Sequence, residues 1–560
     1  MAKPNEEKVQ ELLKMLEDPD IGSPVKAAIR QSMMDLASGG FEKAYNTSLS
    51  FLSRSNLDAF SEYVFEKKPY DHHKEITKVL QADESRRELI IIGPGNGKST
   101  YVSVQYPAWH MGKNPNDNII LISATADQAE KLCVAVRQTV DSHPKYKEVF
   151  PGIAKDEDRG WTRSTLFLKN NTQIDDPNPN MFATGMSGPV IGRRANVIIV
   201  DDPTKQEDAG SAKKMEDQKY WFKETLASRF HPGVPEKFFV ILTRWHDKDL
   251  ASMLVEDLRF NVTLMPSIGD EKHGAYVDYI NPDPKYMEVN DDDFLLQKVE
   301  KIKREEGLHA EIAYNEGHSR FCVRKFLHKD GNRAIWPSHQ PMSQLEDIRR
   351  ENGSVRFNLV YQGNPSGLQG DVFKREWLRY YGPGEPTEGL PDGCMFFQAV
   401  DVAVSKKDSA DYFVIMTVAL DQLGNIYIVD IYRDRIEAPQ QPKTIAFKYR
   451  EYPKTTWVLI ETTAYQLSLF QTVMSESQIP AKQYKPIKDK IARASSAAAR
   501  VEGGKVFINK LAPWRREFED ELTSFPRGEH DDQVDAFSSL LEELSLRSSK
   551  PIVLQIGFNS

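Results

Sequence analysis

Cysteine is scarce in this sequence of 560 residues, which holds only Cys133, Cys322 and Cys394. They lie far apart, and no two have the C-x-x-C spacing of a zinc knuckle or a redox pair. A disulfide framework and a structural zinc site are therefore both excluded as the basis of the fold. A reducing compartment such as the cytosol fits this usage best.

Long apolar runs and a surplus of positive charge are missing as well. No window approaches the roughly 18 uninterrupted apolar residues of a membrane span. The first residues are too polar for the core of a signal peptide, so we expect no membrane association. The formal net charge of -9 argues against a chain coated with basic surface, but it is compatible with a local basic groove. The length is sufficient for two or three domains.

A glycine-rich turn follows an apolar run at residues 89–92 and ends in Gly-Lys-Ser-Thr. Strand, loop and helix in this order are typical of a P-loop, whose glycines let the backbone close around phosphate oxygens. We expect Lys98 to reach the β- and γ-phosphates of ATP, and Ser99 to ligate Mg²⁺. Ile92 replaces the first glycine of the pattern, and the alternative is a turn that binds nothing. The predicted nucleotide-binding residues of the loop are Gly93, Gly95, Asn96, Gly97, Lys98, Ser99 and Thr100.

Further strands are predicted to deliver polar residues to the same edge of a sheet. Residues 118–125 form one strand and 127–140 a helix, an alternation that predicts a mostly parallel sheet. The apolar run 197–200 is followed by Asp201 and Asp202, the Walker B arrangement. We expect Asp201 to hold the Mg²⁺ shell and Asp202 to orient or deprotonate the attacking water. Taken alone, the paired acids are equally well explained as a capped strand end.

Another apolar strand, residues 238–242, brings Thr243 and Arg244 to that edge, where Thr243 can sense the γ-phosphate. Arg193 and Arg194 lie just before the acid-bearing strand. They are candidates for the arginine that stabilises charge in the transition state of phosphoryl transfer. A surface salt bridge explains each arginine at least as well.

The region before the P-loop is predicted to be structural. Residues 1–65 have apolar residues at helical spacing and are expected to form a small helical cap. His72 and His73 follow it, but no other metal ligand lies at a suitable spacing. A surface or nucleotide-base contact is therefore preferred over metal binding for this pair.

Three motifs stand in a fixed order: Gly-Lys-Ser-Thr, Ile-Ile-Val-Asp-Asp-Pro and Leu-Thr-Arg-Trp-His-Asp-Lys-Asp-Leu. In this order and separation they resemble the large terminase subunit of tailed bacteriophages. The resemblance implies a packaging ATPase joined to a nuclease, with ATP and Mg²⁺ as cofactors and Mn²⁺ as an alternative at the nuclease site. It implies a pentameric motor on the portal protein of a prohead, with a small terminase subunit as partner and double-stranded DNA as substrate. The implied location is the host cytoplasm during virion assembly, not the mature virion.

A second set of acids is implied downstream, and the sequence contains one. Asp401 lies on an apolar strand, Glu461 ends another, and Asp532 and Asp535 stand about one turn apart on a C-terminal helix. Such carboxylates can hold hard Mg²⁺ or Mn²⁺ ions for two-metal phosphodiester cleavage. Each acid alone is an ordinary strand-end or cap residue. Jointly they predict Asp401, Glu461 and Asp535 as catalytic metal ligands, Asp532 as a ligand or close neighbour, and Asp411 as a weaker candidate.

The stretch between Glu461 and that helix is locally basic, and few acids interrupt it. Such a strip beside a nuclease site can neutralise DNA phosphates without reading the bases. A solvated basic face is the plain alternative. Its members are Lys482, Lys485, Lys488, Lys490, Arg493, Arg500, Lys505, Lys510, Arg515 and Arg516.

The predicted fold class is α/β: an N-terminal P-loop ATPase with a mostly parallel sheet, followed by an RNase H-like α/β nuclease domain. One rival interpretation is a helicase–nuclease of DNA repair or recombination, which should unwind a forked duplex. The other is a DNA-binding assembly subunit that binds nucleotide without turnover. The predicted segments are a helical N-terminal segment 1–65, a motor domain 66–330, a connecting region 331–390, a nuclease domain 391–545 and a tail 546–560.

Overall fold

The computed structural model describes most of the chain between residues 41 and 548. Before residue 41 it describes only residues 16, 26, 27 and 30, which are helical, so most of the predicted N-terminal helices lie outside the described residues. Among the described residues, no helix has the length and apolar character needed to cross a membrane. Within 41–548 the residues left out are 83–85, 174–175, 210, 281–290, 316–317, 319, 329–330, 366–371, 383–386, 403–411, 463–465, 487–489, 527 and 529.

The chain divides into two units, each with its own sheet. The first contains Met1–Asp208, Lys213–Met342 and Val360–Gly363. The second contains Ala209–Ala212, Ser343–Leu359 and Asn364–Ser560. Residues 331–390, which the sequence suggests as a connecting region, are thus shared between the two units.

The described strands of the first unit form one ten-stranded sheet. Its strand order is β3-β4-β2-β5-β6-β1-β7-β8-β10-β9. The strands are β1 Arg86–Ile92, β2 Ile119–Ser123, β3 Thr165–Leu166, β4 Met181–Gly185, β5 Val197–Asp201, β6 Lys237–Leu242, β7 Asn261–Met265, β8 Tyr276–Ile280, β9 Ala310–Asn315 and β10 Arg320–Phe326.

The centre of this sheet is parallel, as the alternation of strands and helices predicts. Neighbouring strands from β4 to β7 pair in parallel, while β3, β8, β9 and β10 pair antiparallel towards the two ends. Alternate residues of β1 enter different cores: Ile90 and Ile92 pack in one, Leu89 and Ile91 in the other. A strand that is buried on both faces must be apolar throughout, which explains the uninterrupted runs in the sequence.

Helices occupy the connections of the first unit. The helix predicted over 127–140 is present at Ala126–Ser142. A π-helical segment, Thr100–Gln105, leads from the glycine-rich loop into the helix Tyr106–Lys113. A second π-helical segment, Phe222–Leu226, follows α7. The α-helices are α1 Phe41–Leu52, α2 Leu57–Phe65, α3 Asp71–Leu80, α4 Tyr106–Lys113, α5 Ala126–Ser142, α6 Pro144–Val149, α7 Ala212–Trp221, α8 Leu250–Glu256 and α9 Asp291–Glu306.

The second unit has a seven-stranded sheet among its described residues, in the order β11-β17-β14-β13-β12-β15-β16. Strands β12, β13 and β14 form the predicted antiparallel meander, and β12 pairs in parallel with β15. The strands are β11 Arg379–Tyr381, β12 Met395–Asp401, β13 Phe413–Leu420, β14 Ile426–Asp434, β15 Thr455–Glu461, β16 Ala481–Tyr484 and β17 Val506–Asn509.

The helices from Gln441 onwards pack on that sheet. The last of them, Asp532–Ser548, contacts β12, β13 and the helix Lys490–Glu502. Short 3₁₀ turns occur at Arg375–Trp377 and Ala438–Gln440. The α-helices are α10 Met342–Asn352, α11 Ser354–Val360, α12 Gln441–Glu451, α13 Gln466–Glu476, α14 Lys490–Glu502, α15 Arg515–Ser524 and α16 Asp532–Ser548.

Candidate active sites

The loop between β1 and the first helical turn has the backbone of a phosphate-binding loop. Gly95 and Gly97 have φ values of +81° and +73°, a region that side chains rarely adopt. A Cβ on Gly97 would lie 2.9 Å from His73 Nε2, and one on Gly95 would lie 2.5 Å from Gln340 Nε2. The backbone conformation therefore favours glycine at both positions, and the buried His73 ring leaves no room for a side chain at residue 97.

Two buried histidines of α3 contact the backbone of this loop. His73 Nδ1 accepts the backbone N–H of Tyr70 at 3.1 Å, so its Nε2 carries the proton and donates to Asn96 O at 3.1 Å. Burial lowers the pKa of His73 to about 4, which keeps the ring neutral near pH 7. His72 Nε2 lies 3.4 Å from the same carbonyl, and both rings are buried. Neither histidine lies on the surface, which corrects the expectation of a surface contact.

Lys98 lies between the loop and the acids of β5. Strand β6 pairs with both β1 and β5, so Thr243 at its carboxyl end stands between the loop and the acids. The buried Lys98 ammonium donates to Thr243 Oγ1 and lies 2.9 Å from Asp202 Oδ2. The predicted convergence of these residues at one sheet edge is what the structure contains.

Asp201 is the inner acid, and hydroxyl groups surround it. Ser99 Oγ donates to its Oδ1 at 3.0 Å, and Ser103 Oγ donates to its Oδ2 at 2.7 Å. Burial, followed by the charge of Asp202, raises the pKa of Asp201 to about 6. Ser103 escaped the sequence analysis, although its position four residues after Ser99 places it on the same helical face.

Asp202 is the outer acid and has an unusual backbone. Its φ of +42° is in the left-handed region, which is uncommon for a residue with a side chain. Its N–H donates to Ile241 O at 2.9 Å, and its Oδ1 accepts the N–H of Thr243 at 2.8 Å. These bonds to β6 hold the strained residue in place, as is common at functional sites. The side chain remains 38% exposed, whereas that of Asp201 is buried.

The candidate arginines have other partners. The Arg193 guanidinium lies 3.8 Å from the centre of the Phe182 ring, and Arg194 Nη1 donates to Ser228 O at 2.7 Å. Among the described residues, neither forms an ion pair with Asp201 or Asp202. Arg244 is buried, and its Nη2 lies 3.0 Å from Asp249 Oδ1. The arrangement thus gives Arg244 a structural role, while the finger assignment for Arg193 and Arg194 stays a prediction.

The second unit collects its acids at one sheet edge. Asp401 ends β12 and Glu461 ends the parallel neighbour β15, so the two carboxyl groups emerge side by side. Asp535, in the first turn of α16, lines the same small cavity, together with Tyr484 and Ser539. The predicted grouping of strand-end and helix acids is therefore present in the fold. Asp411, the weaker candidate, lies outside the described residues.

These acids raise one another's proton affinity. Burial, and then the charges of Asp535, Asp532 and Glu461, raise the pKa of Asp401 well above its usual range. Burial also raises the pKa of Glu461 and of Asp535. Asp532 is buried at the start of α16. Acids that converge in this way favour a cation among them.

In this structure, Lys490 and Arg493 provide that positive charge. Lys490 Nζ lies 2.6 Å from Asp535 Oδ2, and Arg493 Nη2 lies 3.1 Å from Asp535 Oδ1. Among the described residues, no group of three His, Cys, Asp or Glu side chains has the geometry to hold a metal ion as it stands. The donor set itself, oxygen from converging carboxylates, is the set that Mg²⁺ and Mn²⁺ prefer. The lining residues thus have the donor chemistry of a divalent-metal site, while Lys490 and Arg493 are paired with Asp535 in this structure.

Several members of the basic strip are paired with acids of the same unit. Besides Lys490 and Arg493, Lys482 pairs with Glu543, and Arg515 Nε lies 3.5 Å from Glu519 Oε1. A strip that is open to DNA along its whole length is therefore too simple a description. Lys488 lies outside the described residues.

Part of the second unit is similar in sequence to known proteins. Residues 398–544 match the family model described as the terminase RNaseH-like domain. A large terminase subunit of Enterobacteria phage T3 is 23% identical over 144 residues, which is 25% of this chain. The matched part spans 23% of that relative's length.

Solved terminase structures are also similar. The large terminase of the thermophilic bacteriophage D6E aligns over 83% of this chain and 97% of its own, at 11% identity and a TM-score of 0.41. The large terminase of bacteriophage HK97 aligns over 88% and 99%, at 11% identity and a TM-score of 0.31. The nuclease of phage G20c, crystallised with bound magnesium, aligns over 31% and 97%, at 17% identity and a TM-score of 0.25. At these scores the assignment depends on the family model rather than on the superpositions. The RNase H-like fold predicted for the second domain is confirmed, and the chain resembles the large terminase subunits of bacteriophages.

Proposed function

We propose that this chain is a large terminase subunit, which uses ATP hydrolysis to move double-stranded viral DNA into a prohead and cuts the concatemer with a divalent metal. One observation carries the proposal: a P-loop with paired acids and a carboxylate cluster in a terminase-type domain occur in the same chain. Neither site alone distinguishes a terminase from other ATPases or nucleases.

The residues of the first site fit ATP and Mg²⁺. The loop N–H groups and Lys98 would bind the phosphates, and Ser99 and Asp201 would hold the metal. Asp202 is partly exposed and oriented by the N–H of Thr243, which suits it to position the attacking water. The bound Mg²⁺ would supply neutralisation of the phosphate charge. Thr243 contacts both Lys98 and, through its N–H, Asp202, so it is well placed to respond to loss of the γ-phosphate.

The second site fits phosphodiester hydrolysis. Asp401, Glu461 and Asp535 would hold divalent metal, with Asp532 as a further ligand or close neighbour. Bound metal would supply activation of water and stabilisation of the leaving oxygen. The nuclease of phage G20c has been crystallised with magnesium, zinc and cobalt, and we extend divalent-metal dependence, with Mg²⁺ or Mn²⁺ as the working ion, to this chain.

The same proposal includes partners and place of action. A large terminase acts on double-stranded DNA with the portal protein of the prohead and a small terminase subunit, as a pentameric ring on the portal. The place of action would be the host cytoplasm during virion assembly, and the mature virion would lack the protein. Arg193 or Arg194 would supply the transition-state charge from this or a neighbouring subunit.

The experiment that tests this function separates translocation from unwinding. The full chain is given ATP and a duplex that carries a bound third strand, or a forked duplex, with the Lys98→Ala chain as the control. A terminase displaces the third strand and leaves the fork paired, and Lys98→Ala does neither. Unwinding of the fork would instead establish the helicase–nuclease alternative, and ATP binding without turnover would establish the assembly subunit.

A further inference from the structure

The carboxylate site of the second unit has two cations built into it. Lys490 and Arg493 project from the first turn of α14 towards α16. Lys490 Nζ lies 2.5 Å from Asp531 Oδ1 and 2.6 Å from Asp535 Oδ2. Arg493 Nη2 lies 3.1 Å from Asp535 Oδ1, and its side chain is buried. Both oxygens of Asp535 are therefore occupied by N–H donors.

A metal ion needs those same oxygens. Each oxygen of a carboxylate has two lone-pair positions, so a metal ion can share Asp535 with the N–H donors. A divalent ion beside an ammonium or guanidinium group is repelled by it, however, since both are positive. The two kinds of cation thus compete at Asp535.

A site that held neither a metal ion nor a positively charged side chain would be unfavourable. Asp401, Glu461 and Asp535 line one small cavity, where their negative charges repel one another and water screens them poorly. A site that is emptied of metal would therefore be destabilised unless resident cations balanced its charge.

We propose that Lys490 and Arg493 are resident counter-charges, which balance the acids while metal is absent and compete with the incoming divalent metal for Asp535. This inference rests on the proposed nuclease function and adds a control on it. Lys490 is the group that moves aside, because its side chain is 37% exposed and its stem is flexible, whereas that of Arg493 is 7% exposed. The competition sets the metal affinity low, so that the acids do not hold metal permanently.

Binding of Mn²⁺ to the full chain, measured calorimetrically without nucleotide, tests the proposal. The variant is Lys490→Met, which keeps the apolar stem and removes the charge. Lys482→Met is the matched control, because Lys482 pairs with Glu543 on the same helix and is 42% exposed. Lys490→Arg restores the charge, and Asp401→Ala identifies the part of the heat that belongs to this site.

We expect Lys490→Met to bind Mn²⁺ about tenfold more tightly than the wild type, equivalent to about 1.4 kcal/mol. Lys490→Arg and Lys482→Met should bind like the wild type. In EDTA, Lys490→Met should melt at a lower temperature than Lys482→Met, and Mn²⁺ should remove that difference. Unchanged or weaker Mn²⁺ binding by Lys490→Met overturns the counter-charge proposal. Binding that Asp401→Ala leaves intact would overturn the nuclease assignment instead.

Discussion

The acid sites of the two units both lie at the carboxyl ends of parallel strands, but they balance negative charge by different means. In the first unit, hydroxyl groups of Ser99 and Ser103 satisfy Asp201, and Lys98 pairs with Asp202. In the second unit, Asp401 and its neighbours face one another, and Lys490 and Arg493 engage Asp535.

This difference indicates how prepared each site is for its ligand. The first site already has a conformation suited to phosphate, with Asn96 O fixed by His73 and the lysine in place. A preorganised site needs little rearrangement when the ligand binds. In our proposal, the second site exchanges the Lys490 ammonium for a metal ion. We therefore expect the first to be sensitive to single hydrogen bonds and the second to respond mainly to charge.

The largest effect is expected for Lys98→Ala. This change removes the ammonium group that contacts both Thr243 and Asp202, and with it the proposed phosphate contact and the ion pair of Asp202. The rate of ATP hydrolysis, measured as release of phosphate, should fall at least a hundredfold, as expected for a group that stabilises transition-state charge. Asp401→Ala is the companion variant and should keep normal hydrolysis. If both variants fold and lose ATP hydrolysis to the same extent, the two sites are not independent.

Next in size is a stability effect at Asp401 in the absence of metal. The pKa of its carboxyl is raised in the folded chain, so folding favours the protonated form. Stability is then lost as pH rises above the unfolded pKa of about 3.9, and Asp401→Asn removes the loss. In EDTA at pH 7 this variant should melt above the wild type, and the gap should close near pH 4.

Asp421 provides a control of opposite sign for that measurement. Burial opposes its ionisation, yet hydrogen bonds from Asn425 hold the pKa of Asp421 below its usual range. Its contribution to stability is therefore present above the unfolded pKa and is lost as pH falls through the folded one. Asp421→Asn should melt below the wild type at pH 7. The same sign for both variants would contradict the view that burial and the neighbouring acids oppose the ionisation of Asp401.

A smaller effect is expected at His73. Replacing it by leucine removes the shorter of the two histidine contacts to Asn96 O and leaves the 3.4 Å contact of His72, and a lost bond at a buried group costs about 1–3 kcal/mol. The KM for ATP should rise about tenfold, while His73→Gln, which retains a donor, should recover part of the loss. His110→Leu is the control, because this buried histidine bonds to Asp117 and not to the loop. A KM change in the control of the same size would show a general packing effect.

The smallest effect is expected for Ser103→Ala. Asp201 then loses one of its two hydroxyl donors, while Ser99 remains. The Mg²⁺ concentration that gives half-maximal ATP hydrolysis should change a few-fold, in line with the roughly 0.5–1.5 kcal/mol that one intramolecular hydrogen bond contributes net. Ser99→Ala should be far more severe. Equal effects would place Ser103 in direct contact with the metal.

Much of the fold could be predicted from the sequence, because strand ends carry their own signal. Apolar runs that stop at Lys98's loop, at Asp201 and at Asp401 identify parallel strands and the edge where their polar residues meet. The parallel centre of the first sheet and the meander of the second were both accessible from alternation and turn residues. Spacing along one strand or helix is local information, and it was reliable.

Contacts between distant segments could not be predicted in that way. Nothing in the order of residues shows that His73 bonds to Asn96 O, or that Lys490 turns towards Asp535 instead of DNA. Both depend on how α3 and α14 pack, which is a property of the folded chain. Ser103 is intermediate, since its spacing from Ser99 was visible but its partner was not.

The central claim is that the second unit has a metal-dependent nuclease site separate from the ATP site. Its most direct test is cleavage of supercoiled plasmid by the full chain with Mg²⁺ or Mn²⁺, comparing wild type, Asp401→Ala and Lys98→Ala. We expect wild type and Lys98→Ala to cut and Asp401→Ala to leave the plasmid intact. Cutting by Asp401→Ala at the wild-type rate, or loss of cutting in a folded Lys98→Ala chain, would contradict the claim.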